Sequence, residues 1–351
     1  MKTIVADKIA SIAQHLNLKR ELRIAADIPC EEGVVIAVEV LTNKSTYNTL
    51  ELTSGRMAGV KRGDIVVGAL GHRKALFGYS GHVPEKLAVG DTLQMLNIGG
   101  VIGVCDAINP SLGQPFDVRV LGTVLDFPFL GERIGVPARI GMAKLEADPP
   151  VVTHGVPVVA IAGSCMSAGK TAAAAAIVSR IRHHGHTVDA FKATGVSLRR
   201  DILAMEDAGA RNTLIFTDFG VGTTTAANGP AVTRTMLTRL AAQRPDCIVF
   251  ELGDGLLGAY GVEAILRDPA IREAITCVVL SANDPVAAWG GVELLRRDFG
   301  IEPDVVTGPA TDNDVGCKII EQRMGVRAIN AVTDAMGIGD FVCGKLGLRV
   351  S

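Results

Sequence analysis

Residues 163–171 read Gly-Ser-Cys-Met-Ser-Ala-Gly-Lys-Thr. They follow an apolar run at 156–162 and precede an Ala-rich run ending at Arg182. A strand that breaks into such a loop and re-forms as a helix makes a phosphate cradle, because backbone N–H groups line the loop and the helix N-terminus adds partial positive charge. Gly163, Ser164, Ser167, Ala168, Gly169, Lys170 and Thr171 are the candidate binding residues. Lys170 would reach the outer phosphates, and the Thr171 hydroxyl would hold Mg²⁺. The usual spacing places a first glycine at position 164, where Ser164 stands; Gly163 lies one residue earlier. The alternative is a Gly-Lys-Thr turn with no ligand.

Such a loop needs a metal-organising carboxylate at the end of a neighbouring strand. The run Asp246-Cys-Ile-Val-Phe-Glu251-Leu-Gly-Asp254-Gly is apolar and breaks into glycines after its acid. Mg²⁺ takes one or two carboxylates plus phosphate oxygens and water, so Glu251 is the first candidate and Asp254 the reserve. The small-residue stretch 216–225, Phe-Thr-Asp-Phe-Gly-Val-Gly-Thr-Thr-Thr, could bring amides and hydroxyls to a ligand, with Asp218 joining the metal. A flexible turn is the other reading. Lys192 closes the next strand, where a cation would meet developing phosphoryl or carboxyl charge; a solvated lysine fits as well. His183-His184-Gly-His186 falls at a helix exit and reads as a solvated cluster. Gly71-His72-Arg73-Lys74 could bind an anion or form a polar loop.

The elements that must position these residues change character near residue 150. Upstream, short runs rich in Val, Ile, Leu and Thr predict strands at 34–41, 46–52, 64–70, 75–79, 92–96, 101–105 and 117–125, with similar turns at Lys61-Arg-Gly-Asp64 and Ala88-Val-Gly-Asp91. Many short strands at this spacing suggest a small barrel or sandwich. Residues 1–16 read as a short amphipathic helix. Asp148-Pro149-Pro150 is the linker. Beyond it, strands at 158–162, 187–193, 213–217, 247–251, 276–280 and 304–307 alternate with helices at 170–182, 231–243, 262–267, 286–299 and 315–324. That rhythm calls for a parallel sheet covered on both faces, with ligands at the carboxyl ends of its strands.

Composition agrees. At 351 residues two domains are expected, 1–148 and 149–351. Aromatics are only 4%, so the 48% hydrophobic content is mostly aliphatic, as in helix-covered parallel sheets. A net charge of −2 implies no polyanion surface, so no nucleic-acid partner is expected. The seven cysteines lack any Cys-x-x-Cys pair and read as reduced thiols, which points to the cytoplasm. No apolar run approaches membrane-spanning length, so no membrane association is expected.

The loop Gly163–Thr171, the stretch Phe191-Lys192-Ala-Thr-Gly195 and the strand end Glu251-Leu-Gly-Asp-Gly255 resemble dethiobiotin synthetase. With Asp218-Phe219, in the same order, they are also similar to the D-glutamate N-acetyltransferase-type P-loop family, with Lys192 where that family has Arg and Leu252 where it has Gly. The likeness covers 156 to about 330. It implies an α/β fold, a dethiobiotin-synthetase-like P-loop NTPase domain with a parallel sheet; Asp254 has no counterpart in the likeness, and the β-rich unit read upstream departs from the acetyltransferase-type family, whose N-terminal half looks Rossmann-like. It also implies an enzyme that binds ATP and Mg²⁺ and activates a small carboxylate or amine by ligase or acyl-transfer chemistry, with Lys170, Lys192 and Glu251 as catalytic residues. A small-molecule substrate and a homo-oligomer are expected. The competing class is a nucleotide switch, a metallochaperone or partitioning-type NTPase. Against it, Ser281-Ala-Asn283-Asp284 lacks the lysine of a guanine reader; Thr311-Asp312-Asn313 is left as a candidate base reader.

Overall fold

The computed structural model describes residues 1–129, 131, 134–143 and 145–350. The chain forms two compact units. The first comprises Met1–Lys144 with Val196–Arg199 and Phe216–Thr223; the second holds the remainder.

In the first unit five strands close on themselves. Asp117–Asp126 pairs with Val35–Val40, which pairs with Ile65–Leu70, then Val101–Ile108, then Thr92–Met95, which returns to Asp117–Asp126. The contact between Ile65–Leu70 and Val101–Ile108 is parallel and the others are antiparallel. Of the two β architectures expected, this is the barrel, and closure removes the exposed edges that an open sheet would leave. Its interior is aliphatic, built on Ile36, Val38, Val67, Ile102 and Val118. The two similar turns fold alike: the Asp64 carboxylate accepts from Lys61 N at 2.7 Å and that of Asp91 from Ala88 N at 2.8 Å, with Gly63 and Gly90 at φ +91° and +99°.

The amphipathic helix expected at 1–16 is not formed. Lys2–Val5 and Lys8–Ile9 are strands, followed by the 3-10 turn Ser11–Leu16. The β-branched Thr3, Ile4 and Val5 pair with Glu21–Ala25, a partner strand absent from the expectation. Asp7 and Lys8 are tied down by Ile65 N at 2.8 Å and Asp64 at 2.6 Å. The strand placed at 75–79 lies instead at Tyr79–His82.

The second unit holds a seven-stranded sheet in the order Thr213–Ile215, Val188–Lys192, Cys247–Glu251, Val158–Gly163, Cys277–Ser281, Val305–Thr307, Arg327–Ala328, and every pairing is parallel. Its four central strands are buried at every residue, as a sheet covered on both faces requires. The helix Lys170–His183 buries Ala173, Ala174, Ile177, Val178 and Ile181, a three-to-four-residue spacing that turns one apolar stripe to the sheet. Side-chain caps start the later helices: Asp268, Asp284, Asn313 and Asp334 each accept from N–H groups of the first turn. Among the described residues no helix is long and apolar enough to cross a membrane.

Candidate functional site

The phosphate loop leaves Val158–Gly163 at its carboxyl end and re-enters as Lys170–His183. Ser164 N donates to Ser281 O at 2.9 Å, which anchors the loop to the neighbouring strand. Ser167 and Gly169 are in the left-handed region, at φ +60° and +96°. A chain that alternates left- and right-handed residues turns successive N–H groups toward one concavity, and such a nest takes anions. Gly163 belongs to the strand. Its missing side chain makes room for Lys170, since a Cβ there would lie 2.8 Å from Lys170 Cδ and 2.9 Å from Nζ. A side chain at 163 would therefore displace Lys170. The Ala168 carbonyl lies against Gly308, where a Cβ would come within 2.3 Å of it, and the Ser164 carbonyl lies against Gly255 in the same way at 2.6 Å. The loop is thus clasped by two other strand ends.

Lys170 is buried and donates to the carbonyls of Cys165, at 2.8 Å, and Asp254. Burial pulls its ammonium below the ordinary lysine value, with the negative charge of Glu251 opposing. The Thr171 hydroxyl donates to Glu251 Oε2 at 3.0 Å. Glu251 ends the adjacent strand, in register with Ile161 on one side and Lys192 on the other. Burial first, then the charge of Asp201, pushes its carboxyl up, against the pull of Lys192, Lys170 and Thr171. A buried carboxylate with an adjacent hydroxyl is a hard-oxygen donor pair, and a cation bound there would offset the desolvation that raises the carboxyl. Thr171 and Glu251 therefore fit Mg²⁺.

Of the three expected metal ligands, Thr171 and Glu251 lie in the second unit. Asp218 belongs to the first unit, in the 3-10 turn Phe216–Phe219, and its carboxylate accepts from His15 Nε2 at 2.6 Å. The small-residue stretch is divided: 216–223 joins the barrel unit and Thr224 onward joins the parallel sheet. Asp254, the reserve, is buried at φ +71° and offers its carbonyl to Lys170.

Lys192 is not solvated. Its ammonium pairs with Asp201, on the helix Arg200–Asp207, and both side chains are buried. Burial pulls Lys192 down, but Asp201 and Glu251 outweigh it and hold the ammonium above its ordinary value. Sequence reasoning missed Asp201. It lies nine residues beyond Lys192 in a charged run with no recognisable spacing, and only the fold brings the two together.

Other expectations resolve as structural parts. His184 is buried, and its Nε2–H donates to Asp340 at 2.7 Å, so the histidine cluster is not simply solvated. Asn313 caps its helix, and Asp312 accepts from Asn330 at 2.9 Å, so the side chains proposed to read a base are engaged locally. Arg73 is buried in the barrel unit and donates to Leu96 O. Among the described residues no group of three or more His, Cys, Asp or Glu could hold a metal ion.

The parallel sheet and the strand–loop–helix form an α/β fold of P-loop type, and Lys170, Thr171 and Glu251 meet at its loop. No protein-family model matches the chain, and no curated protein matches it. Among solved structures, a DUF1611 family protein from Anabaena variabilis is similar over 58% of this chain and 62% of its own, at 15% identity and a TM-score of 0.40. The hydrogenase maturation factor HypB from Archaeoglobus fulgidus is similar over 55% of this chain and 91% of its own, at 16% identity and 0.39. The cell division protein FtsY from Thermotoga maritima is similar over 58% and 71%, at 16% and 0.39. At this level of similarity no residue role passes from those proteins to this chain.

Proposed function

We propose that the second unit binds a nucleoside triphosphate with Mg²⁺ and uses its terminal phosphate to activate a small carboxylate or amine. The contact of Thr171 with Glu251 beside the phosphate loop carries the reading, because it sets two oxygen donors where a cation would bridge protein and phosphates. Loop amides and Lys170 would hold the phosphates; Thr171 and Glu251 would hold the metal, which when bound neutralises phosphate charge. Lys192 adds a second buried cation at the carboxyl edge of the sheet, placed to stabilise charge that develops on a transferred group. Burial excludes water from both lysines, which strengthens each electrostatic contact.

A nucleotide switch of metallochaperone or partitioning type would use the same loop, metal pair and lysine. The two readings differ in what stimulates turnover. Phosphate release by the pure chain, alone and then with pooled amino acids and small carboxylates, separates them. Stimulation by a metabolite supports the enzyme. Release that no metabolite raises and a protein partner does replaces it with the switch.

A further inference from the structure

The charges around the phosphate loop are paired in a way that the proposed function does not use. Lys170 gives its hydrogen bonds to two backbone carbonyls, whereas Lys192 gives its own to a carboxylate. Lys192, Asp201, Lys170 and Glu251 are all buried, two of each sign, and burying four charges is costly unless something is gained from it. Asp201 also lies 3.6 Å from Arg200 Nε, and the Arg200 side chain is 68% exposed.

We propose that Asp201 is an internal counter-ion that occupies Lys192 in the empty site and yields it to an incoming polyphosphate, turning to Arg200 as it does so. This rests on the phosphate-site reading above. The pair is built for exchange rather than for permanent bracing in two respects. Lys192 closes its strand in direct register with Glu251, which touches Thr171, and its ammonium feels the Glu251 charge as well as that of Asp201. Asp201, once released, is not left as an orphan charge, because Arg200 is already at hand on the same helix. A carboxylate that competes with the ligand lowers affinity for every anion that cannot displace it. It thereby selects for ligands of high negative charge and blunts occupation by single phosphates or carboxylates.

The test is isothermal titration of inorganic tripolyphosphate, and of orthophosphate in parallel, into the full chain and five variants. Asp201→Asn is expected to bind tripolyphosphate about tenfold more tightly than the parent, since one negative charge is removed from the anion's surroundings. Orthophosphate, undetectable or weak in the parent, is expected to bind the same variant measurably. Lys192→Met should weaken binding, and Asp201→Asn combined with Lys192→Met should match Lys192→Met alone, because the gain needs the lysine. Arg200→Ala lies on the exposed face of its helix and remains informative should Asp201→Asn fail to fold; it should bind tripolyphosphate several-fold more weakly than the parent. A purely structural pair would give the opposite sign for Asp201→Asn, weaker binding with a lower melting temperature, and no effect for Arg200→Ala; that result overturns the proposal. If the parent binds tripolyphosphate and Lys170→Ala does not, the phosphate site stands whatever Asp201 does. If the parent fails to bind it, the phosphate-site reading falls and this proposal with it.

Discussion

Gly163→Ala separates a loop shaped for Lys170 from a loop that merely happens to contain it. Gly163 lies in an extended strand, outside the left-handed region, so alanine costs nothing in backbone conformation. The whole effect is steric. The new Cβ would lie 2.8 Å from Lys170 Cδ, 2.9 Å from Nζ and 3.0 Å from Cγ, against a favourable carbon–carbon separation of about 3.5–4.0 Å. Three atoms of one buried side chain are struck, so the lysine must shift away from residue 163. It then gives up its hydrogen bonds to Cys165 and Asp254, charge-assisted bonds worth about 1.5–3 kcal/mol each in a buried setting. Water regained by the displaced ammonium offsets much of that, leaving a net destabilisation of about 1–3 kcal/mol, the usual range for overpacking. The loss in binding is separate. A lysine held off the phosphates forfeits one charged contact of about 2 kcal/mol, or roughly thirtyfold in Kd. Thermal melts of the unliganded chain and titration with Mg-ATP read the two effects independently. A Gly163→Ala protein that melts with the parent and binds within twofold of it would refute the packing of Lys170 on Gly163.

Further expectations follow from other contacts. Glu251→Gln should lower Mg²⁺-dependent turnover by tenfold or more on the scale of a lost charged contact, while metal-free nucleotide binding changes little; equal Mg²⁺ dependence in variant and parent would return Glu251 to the role of a strand terminus. Asp340 is held at about 2, first by the hydrogen bond from Arg180 and then by that from His184. Its lowered value means that its stabilisation is complete above the ordinary Asp range near about 3.9 and is lost as pH falls through about 2. The melting-temperature gap between parent and Asp340→Asn should therefore be constant at neutral pH and close below pH of about 4; a gap that persists at pH of about 2 counts against the ion pair as its source. Expression of 149–351 alone should give a less stable, aggregation-prone fragment, because Phe216, Phe219 and Val221 are buried in a unit made mostly of 1–144; a cooperative melt equal to that of the full chain would contradict this.

Six strands of the parallel sheet were legible because they are largely apolar runs, and because Asp-Pro pairs announce helix starts at 269 and 285; the two-residue strand Arg327–Ala328 carries no such signal. The phosphate loop was legible for the same reason: a local run of chain carries nearly all of its geometry. What escaped is what depends on distant partners. The strands at Lys2–Val5 and Glu21–Ala25 need each other, and neither run alone outweighs a helical reading. Asp201 becomes meaningful only when helix Arg200–Asp207 packs beside Val188–Lys192. Asp218 followed an apolar strand as a site acid would, yet its segment leaves that sheet and pairs with His15, two hundred residues earlier in the chain. Periodicity and motif spacing report on neighbours in sequence, and these pairings are not among them.

The central claim is that Lys170 and its loop hold a nucleotide together with Mg²⁺. Isothermal titration of ATP and GTP, each with and without Mg²⁺, into the parent and into Lys170→Ala tests it most directly. Saturable one-to-one binding of at least one nucleotide to the parent, tightened by Mg²⁺, is expected, with loss of most of that affinity in a Lys170→Ala protein that still melts cooperatively. Equal affinity in the two proteins, or no binding of either nucleotide to the parent, would contradict it.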